Sequence, residues 1–288
     1  MQNLQIPHAT TISALRTRIR TWREDKLRIG FVPTMGALHE GHISLVRLAK
    51  AHCDRVVASI FVNPKQFAAG EDLDTYPRTL IADAEKLTDA QCDLIYLPTN
   101  EIMYPQDYSA SISLKGPALG LESEARPHFF DGVATVVAKL FNQVRPDMAF
   151  FGEKDYQQLL VIRQMVKDLD FPIDVLGGET LREKDGLAMS SRNAYLSADE
   201  RSRAARLNAI LTDFAAALEA GRPLAEARAE AETAARAGFD AVDYVEARCA
   251  TTLAKLPDGP LETPTRVLAA VRLGSTRLID NRPVKTPS

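Results

Sequence analysis

The chain is 288 residues long, 45% hydrophobic and 25% charged, the ordinary composition of a folded globular protein. Its 35 Lys and Arg against 38 Asp and Glu leave a net charge of −3, which argues against a broad basic face for nucleic acid. Cys53, Cys92 and Cys249 are too scattered for a zinc site or a disulfide framework and read as reduced thiols of a cytoplasmic protein.

The stretch MQNLQIPHATTISALRTRIR has no continuous apolar run, so a polar lead-in and an amphipathic helix are expected there, not a secretory leader. Arg16, Arg18, Arg20 and Arg23 read as the solvated face of that helix. No apolar run approaches the ~20 residues that span a bilayer. Strands are expected at Leu27–Val32, Arg55–Val62, Cys92–Leu97, Met148–Phe151 and Ile173–Leu176, with Ser109–Leu114 as an alternating edge strand. Helices are expected between them at Ile43–Ala51, Pro77–Thr88, Val133–Val144 and Tyr156–Leu169. Strands that are apolar throughout suit a parallel sheet covered on both faces. The alternation implies right-handed crossovers and a doubly wound, Rossmann-like α/β sheet. After about Asn193 the pattern changes to a long helix Ala198–Ala220, a break at Gly221-Arg222-Pro223, a helix Leu224–Ala237, and strands Ala241–Arg248 and Thr265–Leu273. The division falls near Leu181–Lys184, giving a Rossmann-like domain 1–182 and a smaller C-terminal α+β lid domain 183–288.

The chain has neither a Walker-type phosphate loop nor the G-x-G-x-x-G dinucleotide fingerprint. A parallel α/β sheet still places its ligand at the carboxyl ends of its strands. Four segments stand there. The first strand runs into Met35-Gly36-Ala37-Leu38-His39-Glu40-Gly41-His42, where a helix begins. Free amides and the helix dipole favour an anion at such an end, the glycines leave room, and two imidazoles can donate hydrogen bonds. The dipole disfavours added positive charge, so neutral rings are at least as suitable as imidazolium. Asn63 and Gln66, after the second strand, can bind a hydroxyl, carboxylate or amine. Gly152-Glu153-Lys154-Asp155 opens the helix that carries Gln157 and Gln158; Lys154 can neutralise phosphate, and Asp155 can cap the helix or hold a ribose or metal. Lys184–Asn193 contains Met189-Ser190-Ser191-Arg192, a compact set of phosphate donors.

Together these segments resemble the pantoate–β-alanine ligase family, within the nucleotidyltransferase superfamily. The superfamily pairs an H-x-G-H turn, here His39-Glu40-Gly41-His42, with a later K-M-S-K-S-like loop, here Met189–Arg192. The resemblance implies ATP-dependent condensation of pantoate with β-alanine through a pantoyl-adenylate, with Mg²⁺ and a homodimeric assembly. It assigns ATP to Met35–His42, Gly152–Asp155, Leu181 and Met189–Arg192, and catalytic roles to His42, His39, Lys154 and Arg192. It assigns the small substrates to Gln66 and Gln158, with Asn63 beside them, and Asp83 as a magnesium neighbour. Arg192 stands where relatives often carry Lys, so charge is retained but its geometry becomes a planar fork. The loop Lys184–Asn193 is the expected moving part. The paired turns leave open a relative that transfers AMP to a phosphate, a nucleotide-binding module without turnover, and a tRNA-linked ligase, which the balanced charge opposes.

Overall fold

The computed structural model describes residues 4–68, 71–257 and 259–285. Its larger sheet has six parallel strands: β1 (His8–Ala9), β2 (Ile29–Thr34), β3 (Arg55–Ile60), β4 (Leu94–Tyr96), β5 (Met148–Gly152) and β6 (Asp174–Gly178), in the order β1-β4-β3-β2-β5-β6. Alternate side chains serve opposite faces. Phe31, Val57 and Phe151 pack beneath α1 (Ile12–Glu24), α6 (Phe129–Val144) and α7 (Tyr156–Asp168). Val32, Val56, Ala58 and Phe150 pack beneath α2 (Glu40–His52) and α3 (Leu80–Asp89). Two one-turn helices, α4 (Asn100–Met103) and α5 (Glu122–Ala125), lie in the long crossover from β4 to α6. Burial on both faces is why these strands read as unbroken apolar runs.

The chain goes from β2 outward to β3 and β4, then crosses over to β5 on the other side of β2. The carboxyl ends of β2 and β5 therefore flank a topological switch point, the usual crevice for a ligand in an open α/β sheet.

The second unit is an antiparallel sheet of β7 (Ala241–Cys249), β8 (Thr265–Leu273) and β9 (Thr276–Val284). Helices α8 (Ala198–Ala204), α9 (Arg206–Glu219) and α10 (Leu224–Gly238) pack on it through a separate core that includes Leu211, Phe214, Ala231, Val267 and Val271. The result is a two-domain α/β fold. Among the described residues, no helix is long and apolar enough to cross a membrane.

Four elements differ from the sequence reading. Ser109–Leu114 is not a strand; Ile112 N donates instead to the Thr135 hydroxyl of α6 (2.9 Å), and Ile112 and Leu114 pack on the core beside that helix. The alternation was real, but it faces a helix. The edge beyond β4 is filled by β1, which lies in the stretch read as a polar lead-in. The long helix Ala198–Ala220 is two helices, interrupted at Ala205. β9 was not anticipated because Arg277, Asp280, Asn281 and Arg282 make it look like a solvated tail; Asp280 and Asn281 are in fact buried.

Candidate active site

The first wall of the crevice is the turn after β2. Thr34 donates its hydroxyl to Ser59 O (2.7 Å) and accepts from Gly36 N (3.2 Å). Asp83, fully buried on α3, accepts from Ala37 N (3.0 Å), Leu38 N (2.8 Å) and the Thr79 hydroxyl (3.2 Å). Asp83 does not line the crevice; it holds the turn from behind.

His39 is the N-cap of α2. Its Nδ1 accepts from Gly41 N (3.2 Å), and His42 Nδ1 accepts from His39 N (3.3 Å), a reciprocal capping box built of imidazoles. Gly41 is required here, because a Cβ would sit 2.9 Å from the His39 ring. With both Nδ1 atoms accepting, the neutral rings carry their protons on Nε2. Burial, then Lys154, depress His39 to about 4. Burial, the neighbouring His39 ring and Lys154 depress His42 to about 3. Near neutral pH both are uncharged hydrogen-bond donors at a helix N-terminus.

The second wall is the turn Glu153–Asp155 between β5 and α7, which carries Lys154 with its Nζ 3.8 Å from Asp155 Oδ1. The third is the loop after the Arg182–Ala188 bridge. Ser191 donates to Ala37 O (3.0 Å), so this loop touches the imidazole-bearing turn directly. Arg192 Nε and Nη2 donate to Asp72 at 3.0 and 2.9 Å. A guanidinium has five N–H groups, so three remain for another partner.

The floor is the Pro64–Gln66 turn. Asn63 is 1% exposed, and its amide is committed inside the protein: it donates to Gln66 Oε1 and Gly132 O, and accepts from Lys65 N and the Tyr104 hydroxyl. Asn63 thus orients Gln66, whose own Nε2 meets only the weak acceptor Met35 Sδ at 3.0 Å. Gly132 lets this turn seat on α6, since a Cβ there would lie 2.2 Å from Lys65 O. Gln157 and Gln158 both border the crevice, but the Gln157 amide is committed to Glu122 N, Pro117 O and Gly120 O.

All these walls line one cleft of about 850 Å³. It brings together Met35, His39, Gly41, His42, Asn63, Gln66, Gly152, Lys154, Asp155, Gln158, Leu181 and Met189–Arg192. Glu40 and Glu153 point elsewhere, Glu40 to Arg47 and Glu153 to Arg266. Several cleft residues were not anticipated. Arg126 is bidentate to Glu71 and donates to Gln66 O (2.9 Å). Arg277 is bidentate to Glu122, which also accepts from the Tyr244 hydroxyl. Their bidentate partners lie 55 and 155 positions away in the chain, so no local spacing marks these pairs. β9 offered one signal: polar residues inside an otherwise strand-like run next to β8.

The arrangement suits an anionic, elongated ligand. It has neutral donors and a helix N-terminus at one end, a lysine and an arginine beside them, and on the floor the Gln66 amide, whose N–H groups meet only a weak acceptor.

The chain matches the model of the pantoate-beta-alanine ligase family over residues 8–283. It is 77% identical to the pantothenate synthetase of Maricaulis maris, covering 99% of both chains, and 53% identical to that of Caulobacter vibrioides, covering 95% of this chain and 97% of the other. Among solved structures, pantothenate synthetase from Thermus thermophilus superimposes with a TM-score of 0.91 at 44% identity, over 98% of this chain and 100% of that one. A pantoate-beta-alanine ligase from Francisella tularensis, solved with beta-gamma ATP and beta-alanine, superimposes with a TM-score of 0.80 at 34% identity, over 98% and 99% of the two chains.

Proposed function

Because the chain belongs to the pantoate-beta-alanine ligase family, we propose that its cleft performs the ATP-dependent condensation of pantoate with β-alanine to pantothenate. The observation that carries this reading is the direct contact of the two phosphate-gripping segments, Ser191 Oγ on Ala37 O, above a floor that presents Gln66.

In the first step a pantoate carboxylate oxygen bonds to the α-phosphorus of ATP and pyrophosphate leaves. In the second, the β-alanine amine attacks the acyl carbon of the pantoyl-adenylate; the C–N bond forms, the amine loses a proton and AMP leaves. An anion attacking a polyanion needs charge neutralisation and alignment more than a protein nucleophile. Lys154, Arg192 and the α2 amides supply the first. His39 and His42, neutral and fixed by their cap, donate Nε2–H to phosphate oxygens; with values near 4 and 3 they act as hydrogen-bond donors, not as acids. Met35, His39, Gly41, His42, Gly152, Lys154, Asp155, Leu181 and Met189–Arg192 form the ATP site, and Gln66 and Gln158 hold the small substrates. Gly36, Ala37, Leu38, Glu40 and Glu153 of the expected segments lie outside the cleft lining.

The donors present fit magnesium carried on the nucleotide. Among the described residues no three potential ligands converge. Of the cleft acids, Glu71, Asp72, Glu122 and Asp280 are paired with arginines, leaving Asp155 and Glu179. Mg²⁺ takes one or two carboxylates plus phosphate oxygens and water. When bound it would neutralise phosphate charge.

We divide the chain into domain 1–182, carrying the nucleotide and pantoate, and domain 183–288, covering them; the separate core of the C-terminal helices and sheet supports this reading. The protein acts in the cytoplasm as a homodimer, without nucleic acid or membrane. Ser109, Ala110 and Ser111 are exposed and belong to no strand, which leaves their backbone available for a second copy.

The test is to incubate the protein with ATP, Mg²⁺, pantoate and β-alanine. AMP and pantothenate should form in equal amounts, and neither without pantoate. AMP formation with another acceptor, or ATP binding without turnover, would overturn the assignment.

A further inference from the structure

Asn281 is 3% exposed and lies on β9, in the domain opposite Lys154. Its Nδ2 donates to Glu153 O (3.0 Å) and Lys154 O (2.8 Å), using both amide protons on the turn that carries the lysine. Its Oδ1 accepts from Arg266 Nε (2.6 Å). Arg266 in turn donates to Glu153 Oε2 (3.0 Å) and lies over the Tyr156 ring at 3.7 Å. Asp155, which opens α7, makes no side-chain cap, so besides the Arg266–Glu153 pair it is Asn281 that ties the turn's carbonyls down.

The preceding residue grips the other wall. Asp280 is bidentate to Arg182 (2.7 and 2.9 Å), which also donates to Gly186 O and stands at the base of the Met189–Arg192 loop. Two consecutive residues of one strand therefore fix both phosphate-binding walls relative to each other.

We propose that Asn281 is a positioning residue for the adenylation half-reaction, setting Lys154 through the carbonyls of its turn; this rests on the function assigned above. The prediction is specific because the effect must pass through Lys154. Misplacing a charged group by about an ångström can cost about a hundredfold in rate. Groups that act as a unit are non-additive when removed together.

The experiment is a double-mutant cycle on the full chain, reading pantoate-dependent exchange of labelled pyrophosphate into ATP. Asn281→Ala is made in the native chain and in Lys154→Ala. In the native background the exchange kcat should fall about 10- to 100-fold with KM for pantoate unchanged, because Gln66 and Gln158 lie on other elements. In the Lys154→Ala background the same substitution should change the rate less than about twofold. Equal losses in both backgrounds would overturn the proposal, as would an unchanged kcat with only a lower melting temperature. If Asn281→Ala does not fold, Asn281→Ser, which keeps one donor, goes through the same cycle and should show a smaller loss that also vanishes without Lys154. A failure of the assigned function is separate: the unsubstituted protein would itself show no exchange, and both readings would fall.

Discussion

At the scale of single residues, the histidine pair decides how the site handles charge. The two rings lie 4.1 Å apart between centroids, and each holds its Nδ1 against a backbone amide. Two imidazolium ions at that separation, at the positive end of a helix, would repel each other and the dipole. Their depressed values, about 4 and about 3, have a consequence for stability. In the unfolded chain both rings take up protons as pH falls below about 6.5, while in the folded protein they resist until much lower. The stability they contribute is thus full above about 6.5 and is lost progressively as pH falls toward 4 and 3. Adenylation, by contrast, should show no histidine titration between about pH 6 and 8; a kinetic inflection there that disappears in His42→Ala would refute neutral donation. His42→Ala should lose about a hundredfold in pyrophosphate exchange, near 3 kcal/mol, the cost of one preorganised donor. It should also unfold somewhat more easily, since the amide of His39 loses its acceptor. Near-normal exchange in the folded variant would remove His42 from the reaction.

At the scale of elements, the floor of the site depends on how closely a turn can approach a helix. The Pro64–Gln66 turn rests on the bare backbone of Gly132. Gly132→Ala should push the turn and Gln66 outward, raising KM for pantoate about tenfold and costing about 1–3 kcal/mol in a melting experiment; unchanged KM would show that Gln66 does not hold that substrate. This contact also marks where sequence reading stopped. The parallel strands β2–β6, the helices between them and the four segments at strand ends were legible because each is a local pattern: an apolar run, then a turn of glycines and polar residues; the two-residue β1 was too short to show. Asn63 was legible as a polar residue at a strand end, but not as the residue that aims Gln66, because its partners Tyr104 and Gly132 are distant in the chain. Asp83 showed only as a carboxylate on a helix; that it binds the amides of Ala37 and Leu38 is a tertiary fact. β9 was missed for the same reason, since its charges find their partners across the domain junction.

At the scale of the whole molecule, the two domains meet through buried ion pairs at the cleft. Glu122 joins Arg277 and the Tyr244 hydroxyl across the junction, with side chains only 7% and 13% exposed for the charged pair. Removing one partner of a buried pair costs about 3–5 kcal/mol when the other charge is left alone; here Asp243 still holds Arg277 at 2.6 Å, so the loss is smaller. Glu122→Ala should therefore lower the melting temperature and separate a single calorimetric transition into two, as the C-terminal domain uncouples from the larger sheet. A single, unshifted transition would mean that the domains are joined elsewhere. The Arg192–Asp72 pair closes the same cleft from its other rim, so the loop that carries Ser190 and Ser191 is already drawn over the imidazoles. A site closed in this way protects a reactive acyl-adenylate from water. The most direct measurement is exchange of labelled pyrophosphate into ATP with pantoate present and β-alanine withheld. Exchange should occur, require pantoate and remain independent of β-alanine; pantothenate formed by a protein that shows no such exchange would contradict a two-step reaction through an adenylate gripped by these two segments.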